Sequence, residues 1–240
     1  VGEGAGGGRT RWTACRSGWA PSRVGWWIAV LVAIGSSHFL LAALAATWPE
    51  TIPIAMRGAG RLGLIFFVGS LFFTSAAWLQ WLESLNRDVA DAHDENPKVR
   101  RWFGWHPRNL GYLACAIQLI GTIFFNFNTA DGLLPDLTWG KQDLLIWTPN
   151  MLGSICFLTA SYLAYAEVSH GVVSFDLRSV SWWIAVINLL GSLAFQGSAL
   201  TSFVSSTPSS PEMLFWSTFL TAVGALCFLI GAYLLVVELH

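Results

Sequence analysis

Gly153-Ser154-Ile155-Cys156-Phe157 sits in the middle of a long apolar run, and five other runs carry the same pattern of glycine, small residue, two spacers and phenylalanine. The copies are Gly35-Ser36-Ser37-His38-Phe39, Gly69-Ser70-Leu71-Phe72-Phe73, Gly121-Thr122-Ile123-Phe124-Phe125, Gly191-Ser192-Leu193-Ala194-Phe195 and Gly224-Ala225-Leu226-Cys227-Phe228. The runs cover 25–46, 62–82, 110–130, 149–168, 181–203 and 214–237. An apolar stretch of about 20 residues is long enough to cross a bilayer as a helix. Six membrane spans are therefore predicted, each centred on one copy of the motif.

The pattern extends beyond the motif. From Gly69, Gly153 and Gly224, an aromatic follows at +9 (Trp78, Tyr162, Tyr233), leucine at +10 (Leu79, Leu163, Leu234) and glutamate at +14 (Glu83, Glu167, Glu238). The first and fifth runs open identically, Trp26-Trp27-Ile28-Ala29-Val30 and Trp182-Trp183-Ile184-Ala185-Val186, with Gly35 and Gly191 at matching distances. Self-similarity at this level points to an internal repeat. The expected fold class is all-α, an integral membrane protein with six transmembrane helices as three parallel helical-hairpin repeats. Such repeats are related by an axis along the membrane normal, here a pseudo-threefold one. Residues 1–21 read as a Gly/Arg-rich cytoplasmic tail, 22–86 as hairpin repeat 1, 87–107 as a cytoplasmic interfacial linker, 108–170 as repeat 2 and 171–240 as repeat 3. Proline is favoured at a helix start, so Pro149 is expected to open the fourth span.

Composition agrees with a membrane protein. Of 240 residues, 54% are hydrophobic and 11% charged, against about 25% charged in a soluble domain. Ten of the basic residues fall on one side of the expected topology: Arg9, Arg11, Arg16, Arg23, Arg87, Lys98, Arg100, Arg101, Arg108 and Arg178. Only Arg57, Arg61 and Lys141 fall on the other. The positive-inside rule then places both termini in the cytoplasm, in the inner (plasma) membrane of a bacterium, with the first span as an uncleaved anchor. A net charge of −1 gives no support for nucleic-acid binding, which needs a basic face. The Gly2-Glu3-Gly4-Ala5-Gly6-Gly7 match to a dinucleotide fingerprint lacks its strand and helix. Cys115, Cys156 and Cys227 fall inside spans and Cys15 in the tail, so no external disulfide framework is expected. Trp102, Phe103 and Trp105, mixed with the basic residues of the linker, favour anchoring at anionic headgroups.

The repeated G-S-x-x-F motif in both helices of a hairpin, with an aromatic start, resembles the YrhK-like family of small bacterial two-helix membrane domains. Trp182 to Phe195 and Gly153 to Phe157 carry the resemblance most clearly, and it covers nearly all of 24–239 as three tandem units. The resemblance implies a membrane protein of uncharacterised role and no catalytic residues.

Three residue sets are candidates for function. The first is the packing motif itself: Gly35, Phe39, Gly69, Phe73, Gly121, Phe125, Gly153, Phe157, Gly191, Phe195, Gly224 and Phe228. Small residues let helix backbones approach closely in lipid. The second is a cytoplasmic charge cluster of Glu83, Glu167, Glu238, Arg108 and Arg178. It reads either as a Glu–Arg clasp at the base of each hairpin or as a triad of carboxylates forming a cation vestibule. The third is a polar strip of Gln118 and Asn126, matched by Asn188 and Gln196 at −3 and +5 from the central glycine, with His38 nearby. Each pair is expected near one helical face, either in interhelical hydrogen bonds or lining a narrow solute path.

No catalytic motif, metal site or cofactor is predicted: H-E-x-x-H, G-x-S-x-G and a P-loop lysine are missing. His93 with Asp91, Asp94 and Glu95 reads as a solvated charged loop. The leading expectation is a non-enzymatic membrane protein that acts by helix packing, oligomerisation or partner binding. The alternative is a small-solute or ion channel or transporter with a path near the pseudo-threefold axis.

Overall fold

A computed structural model describes residues 20–54, 58–86, 102–169, 175–203 and 210–239, with the side chain of Ala59 excepted. Residues 1–19 of the expected 1–21 tail, Arg57, the His93 loop and most of the linker (87–101) lie outside the described residues. Among those described, all regular structure is helical. Six helices are long and apolar enough to cross a membrane: α1 Val24–Thr47, α2 Gly60–Leu85, α3 Leu110–Asp131, α4 Trp139–Ser169, α5 Val180–Thr201 and α6 Pro211–Glu238. The chain is thus a multi-pass membrane protein by length and apolarity.

Local sequence sets the helix ends. Asn109 and Ser179 cap α3 and α5, their side-chain oxygens accepting from the backbone N–H of Tyr112 and Trp182. Ser210 caps α6 in the same way, with Pro211 as the first helical residue. Such caps satisfy N–H groups that the helix leaves unpaired. The α-helix of the fourth span starts at Thr148, one residue before the expected Pro149, and the rod extends upstream through a π turn at Asp143–Trp147 to a short helix from Trp139. Proline inside a helix removes a hydrogen bond and crowds the carbonyl four residues back. Widening the turn meets that constraint, with the Thr148 N–H bonding Asp143 O five residues back.

Each helix packs on its neighbours in sequence, and α6 returns to α1, closing a ring of six. The ring alternates direction. Thr47 near the end of α1 donates to Thr218 near the start of α6 at 2.9 Å, while Arg23 before α1 donates to the Leu239 carbonyl after α6.

Each letter of the motif has its own place in this ring. Gly35 faces Gly69, Gly121 faces Gly153 and Gly191 faces Gly224, so close that a methyl group on any of them would stand 3.0–3.2 Å from the partner's carbonyl oxygen. The second residues, Ser36, Ser70, Thr122, Ser154, Ser192 and Ala225, are all buried. Several of these bond across to the adjacent hairpin: Ser70 to Thr129 at 3.0 Å and Ser192 to Ser161 at 2.7 Å. At about 100° per residue, the third position turns to the outside, and Leu71, Ile123, Ile155, Leu193 and Leu226 are exposed there. The fifth returns to within about 40° of the first. All six phenylalanines point inward as one buried cluster.

The tryptophan pairs divide their work. Trp27 and Trp183 donate their indole N–H to Pro21 O and Leu177 O just before their helices, at 3.0 and 3.1 Å. Trp26 and Trp182 are buried against them.

Candidate functional site

The six phenylalanines close the centre of the ring. Within hairpins, Phe39–Phe73, Phe125–Phe157 and Phe195–Phe228 have ring centroids 5.3, 5.0 and 5.6 Å apart. Between hairpins, Phe39–Phe195, Phe73–Phe228, Phe125–Phe195 and Phe157–Phe228 lie 5.7–6.2 Å apart. These spacings are those of aromatic pairs in contact.

A cavity lies on each side of this plug, and each is lined by residues of all six helices. Cavities bounded by every member of a closed ring are axial. The first, about 470 Å³, runs from Phe228 at the plug to Glu167 and Glu238 near the helix ends. Its wall includes Val32, Gln118 and Asn188, the three residues at −3 from the motif glycines of α1, α3 and α5. The second, about 370 Å³, is floored by Phe39, Phe125 and Phe195. It is lined by hydroxyls and amides, among them Asn128, Asn150, Ser198 and Thr221, and by no charged side chain among the described residues.

The glutamates do not converge as a triad. Glu167 and Glu238 line the first cavity, but Glu83 is exposed and outside it. Two small residues, each ten positions before a motif glycine, account for the two that face in. The Glu167 carboxylate occupies the space where Gly111 has no side chain, with Oε2 2.5 Å from the position of an added methyl. Ser181, the equivalent residue on α5, donates to Glu238. At the third such place Gly25 lies against Leu239. The end of α2 meanwhile turns Leu82 and Leu85 inward, and Leu85 packs on the segment at Gly104.

Arg108 and Arg178 are exposed. At the α1–α6 base the contact is the hydrogen bond from Arg23 to Leu239 O.

The polar strip divides. Gln118 and Asn188 line the first cavity. Asn126 and Gln196 instead face the preceding hairpin: Asn126 donates to Thr74 Oγ1 at 2.8 Å, and Gln196 to Met151 Sδ at 3.0 Å. Eight residues advance a helix by about 80° past two full turns, which carries the +5 residue off the −3 face. His38 lines neither cavity. Its Nδ1 lies 2.8 Å from Ile34 O in the preceding turn, and its ring lies over Phe72.

Two residues that the sequence reading left aside belong to the first cavity. Gln80 and Cys115 both line it. Cys156 and Cys227 do not; their β-carbons press on Gly121 and Gly191 inside the hairpins. A signal for Gln80 was present, since an amide at +11 from Gly69 stands one turn before the glutamate position. No group of three or more His, Cys, Asp or Glu side chains able to hold a metal ion occurs among the described residues.

No protein-family model matches this chain, and no curated protein and no solved structure is detectably similar to it.

Proposed function

We propose that this protein provides an axial path for a small solute across the membrane, closed in this conformation by the phenylalanine plug. The observation that carries the reading is the pair of axial cavities, each bounded by all six helices and carrying polar groups among apolar ones, that meet at Phe39, Phe125, Phe195 and Phe228. Helix packing alone accounts for the glycines and phenylalanines. It leaves unexplained why carboxylates, amides and hydroxyls face the interior. Polar groups within a membrane protein are costly, and they collect where water or a solute meets them. Hydrophobic constrictions gate such paths by excluding water.

On this reading the six helices are three tandem hairpins about the path, in keeping with the resemblance to YrhK-like two-helix domains. The distribution of basic residues supports a cytoplasmic glutamate side, in a bacterial inner membrane. Movement of solute, not covalent chemistry, is the activity, and a membrane-protein partner or a second copy is a candidate for controlling the plug.

The test joins the two cavities. Phe195→Ala with Phe228→Ala removes the stacked pair at the centre, and variants that stay monodisperse in detergent are reconstituted in liposomes. Osmotic shrinkage and recovery with urea or glycerol reads permeability. The double variant is expected to conduct well above empty liposomes. A folded variant no more permeable than protein-free vesicles would refute the path.

A further inference from the structure

The glutamate-side cavity has a composition that selects its occupant. Among the described residues, Glu167 and Glu238 are the only charged ones that line it, and no described lysine, arginine or histidine does. An anion is therefore disfavoured. A divalent metal lacks a ligand set there, because no cluster of three donors is present among the described residues. A bare alkali ion asks for a close shell of oxygens, whereas much of this wall is Val32, Ile184, Ala185, Leu235 and the ring of Phe228. The volume, about 470 Å³, lies in the range of small-molecule sites.

Carboxylates at the mouth, apolar walls and an aromatic ring at the floor are what an organic ammonium ion requires. Its charge is met by the carboxylates, and its carbon substituents by the apolar walls and the floor at Phe228. Asn188 also lines this cavity, with its Oδ1 turned onto Gly231. The chain builds the site deliberately. Gly111 leaves the space that Glu167 fills, and Ser181 holds Glu238.

We propose that the glutamate-side cavity binds a small organic ammonium ion, with Glu167 and Glu238 holding its charge and Phe228 seating its substituents. This rests on the reading of that cavity as a vestibule open to solute.

Cys115 in the same wall reports occupancy directly. Full-length protein in nanodiscs is treated with uncharged N-ethylmaleimide, and the rate at Cys115 is read by peptide mass spectrometry. Tetramethylammonium chloride is the probe, with equal potassium chloride and equal tert-butanol as the cationic and neutral comparisons. Tetramethylammonium is expected to slow Cys115 labelling severalfold, while the other two leave it unchanged. Glu167→Gln with Glu238→Gln is expected to abolish protection and leave unprotected labelling intact. Equal protection by potassium or by tert-butanol, or protection that survives the double glutamine variant, overturns the assignment. Absence of labelling at Cys115 under every condition overturns the open vestibule itself, and the ammonium site with it.

Discussion

Gly121→Ala probes the seam on which the whole bundle is built. A methyl group there would stand 2.8 Å from Cys156 Cβ, 2.9 Å from Phe157 Cδ2 and 3.2 Å from Gly153 O. Carbon atoms pack best at about 3.5–4.0 Å, so α4 must move outward by roughly 1 Å. Cys156 Cβ is fixed to its backbone and cannot swing away. Phe157 is held by Phe125 and Phe228, whose ring centroids are 5.0 and 5.7 Å from its own. Overpacking of this kind costs about 1–3 kcal/mol, against a gain of about 1 kcal/mol from replacing a mid-helix glycine by alanine. The net expectation is a loss near 1 kcal/mol.

Gly197→Ala isolates the propensity gain, because a methyl there meets only the end of the Leu220 side chain, at 3.1 Å. It should be neutral or stabilising by up to about 1 kcal/mol. Reversible unfolding in mixed detergent micelles, followed by tryptophan fluorescence, measures both. The gap between the two variants is the overpacking cost, about 1–3 kcal/mol. Gly121→Ala combined with Cys156→Gly should recover part of it, as a coupling of neighbours. If Gly121→Ala proves as stable as Gly197→Ala, the glycines are not there to bring backbones together, and the account of the motif is wrong.

Other expectations follow from the same geometry. Thiol labelling in membranes should modify Cys115 and spare Cys156 and Cys227, since only the first lines a cavity; equal reaction at all three would mean the hairpin seams are wet. Gly111→Ala should displace Glu167, whose Oε2 lies 2.5 Å from the added methyl position, and weaken tetramethylammonium protection of Cys115 without loss of the folded state; unchanged protection would show that Glu167 does not hold the charge. Asn126→Leu, which installs the residue found at the matching Leu40, loses the hydrogen bond to Thr74 and should cost about 0.6 kcal/mol in the same unfolding assay; a loss several times larger would mean Asn126 has a further partner. Pro149→Ala returns a backbone N–H, so the π turn at Asp143–Trp147 should relax toward α-helix, and the hydrogen bond from Trp147 to Ala199 O should weaken, read as a red shift of indole emission. An unshifted spectrum would assign the π turn to something other than the proline.

Some of this protein was legible in its sequence because the relevant physics is local. A bilayer demands some twenty apolar residues per span, so six helices could be counted from the runs alone, within a few residues at five of them. At α4 the run matches the α-helix Thr148–Ser169 but not its extension to Trp139, because Pro149 reads equally as a helix start or as an interior residue beside a widened turn. The G-S-x-x-F spacing also fixed the relative angles of its residues on each helix, and hence that glycine, serine and phenylalanine serve different directions. What periodicity could not supply was which neighbour each direction meets. Only closure of α6 on α1 turned six inward phenylalanines into a plug with a cavity on either side. The same closure sent Asn126 and Gln196 to hairpin seams while Gln118 and Asn188 met the cavity. Three glutamates at one repeat position were equivalent on the page. They became two lining the first cavity and one outside it because Gly111 and Ser181 receive their carboxylates, whereas Gly25 meets Leu239. Identical sequence positions diverge when the surfaces packed against them differ, and those surfaces exist only in the assembled ring.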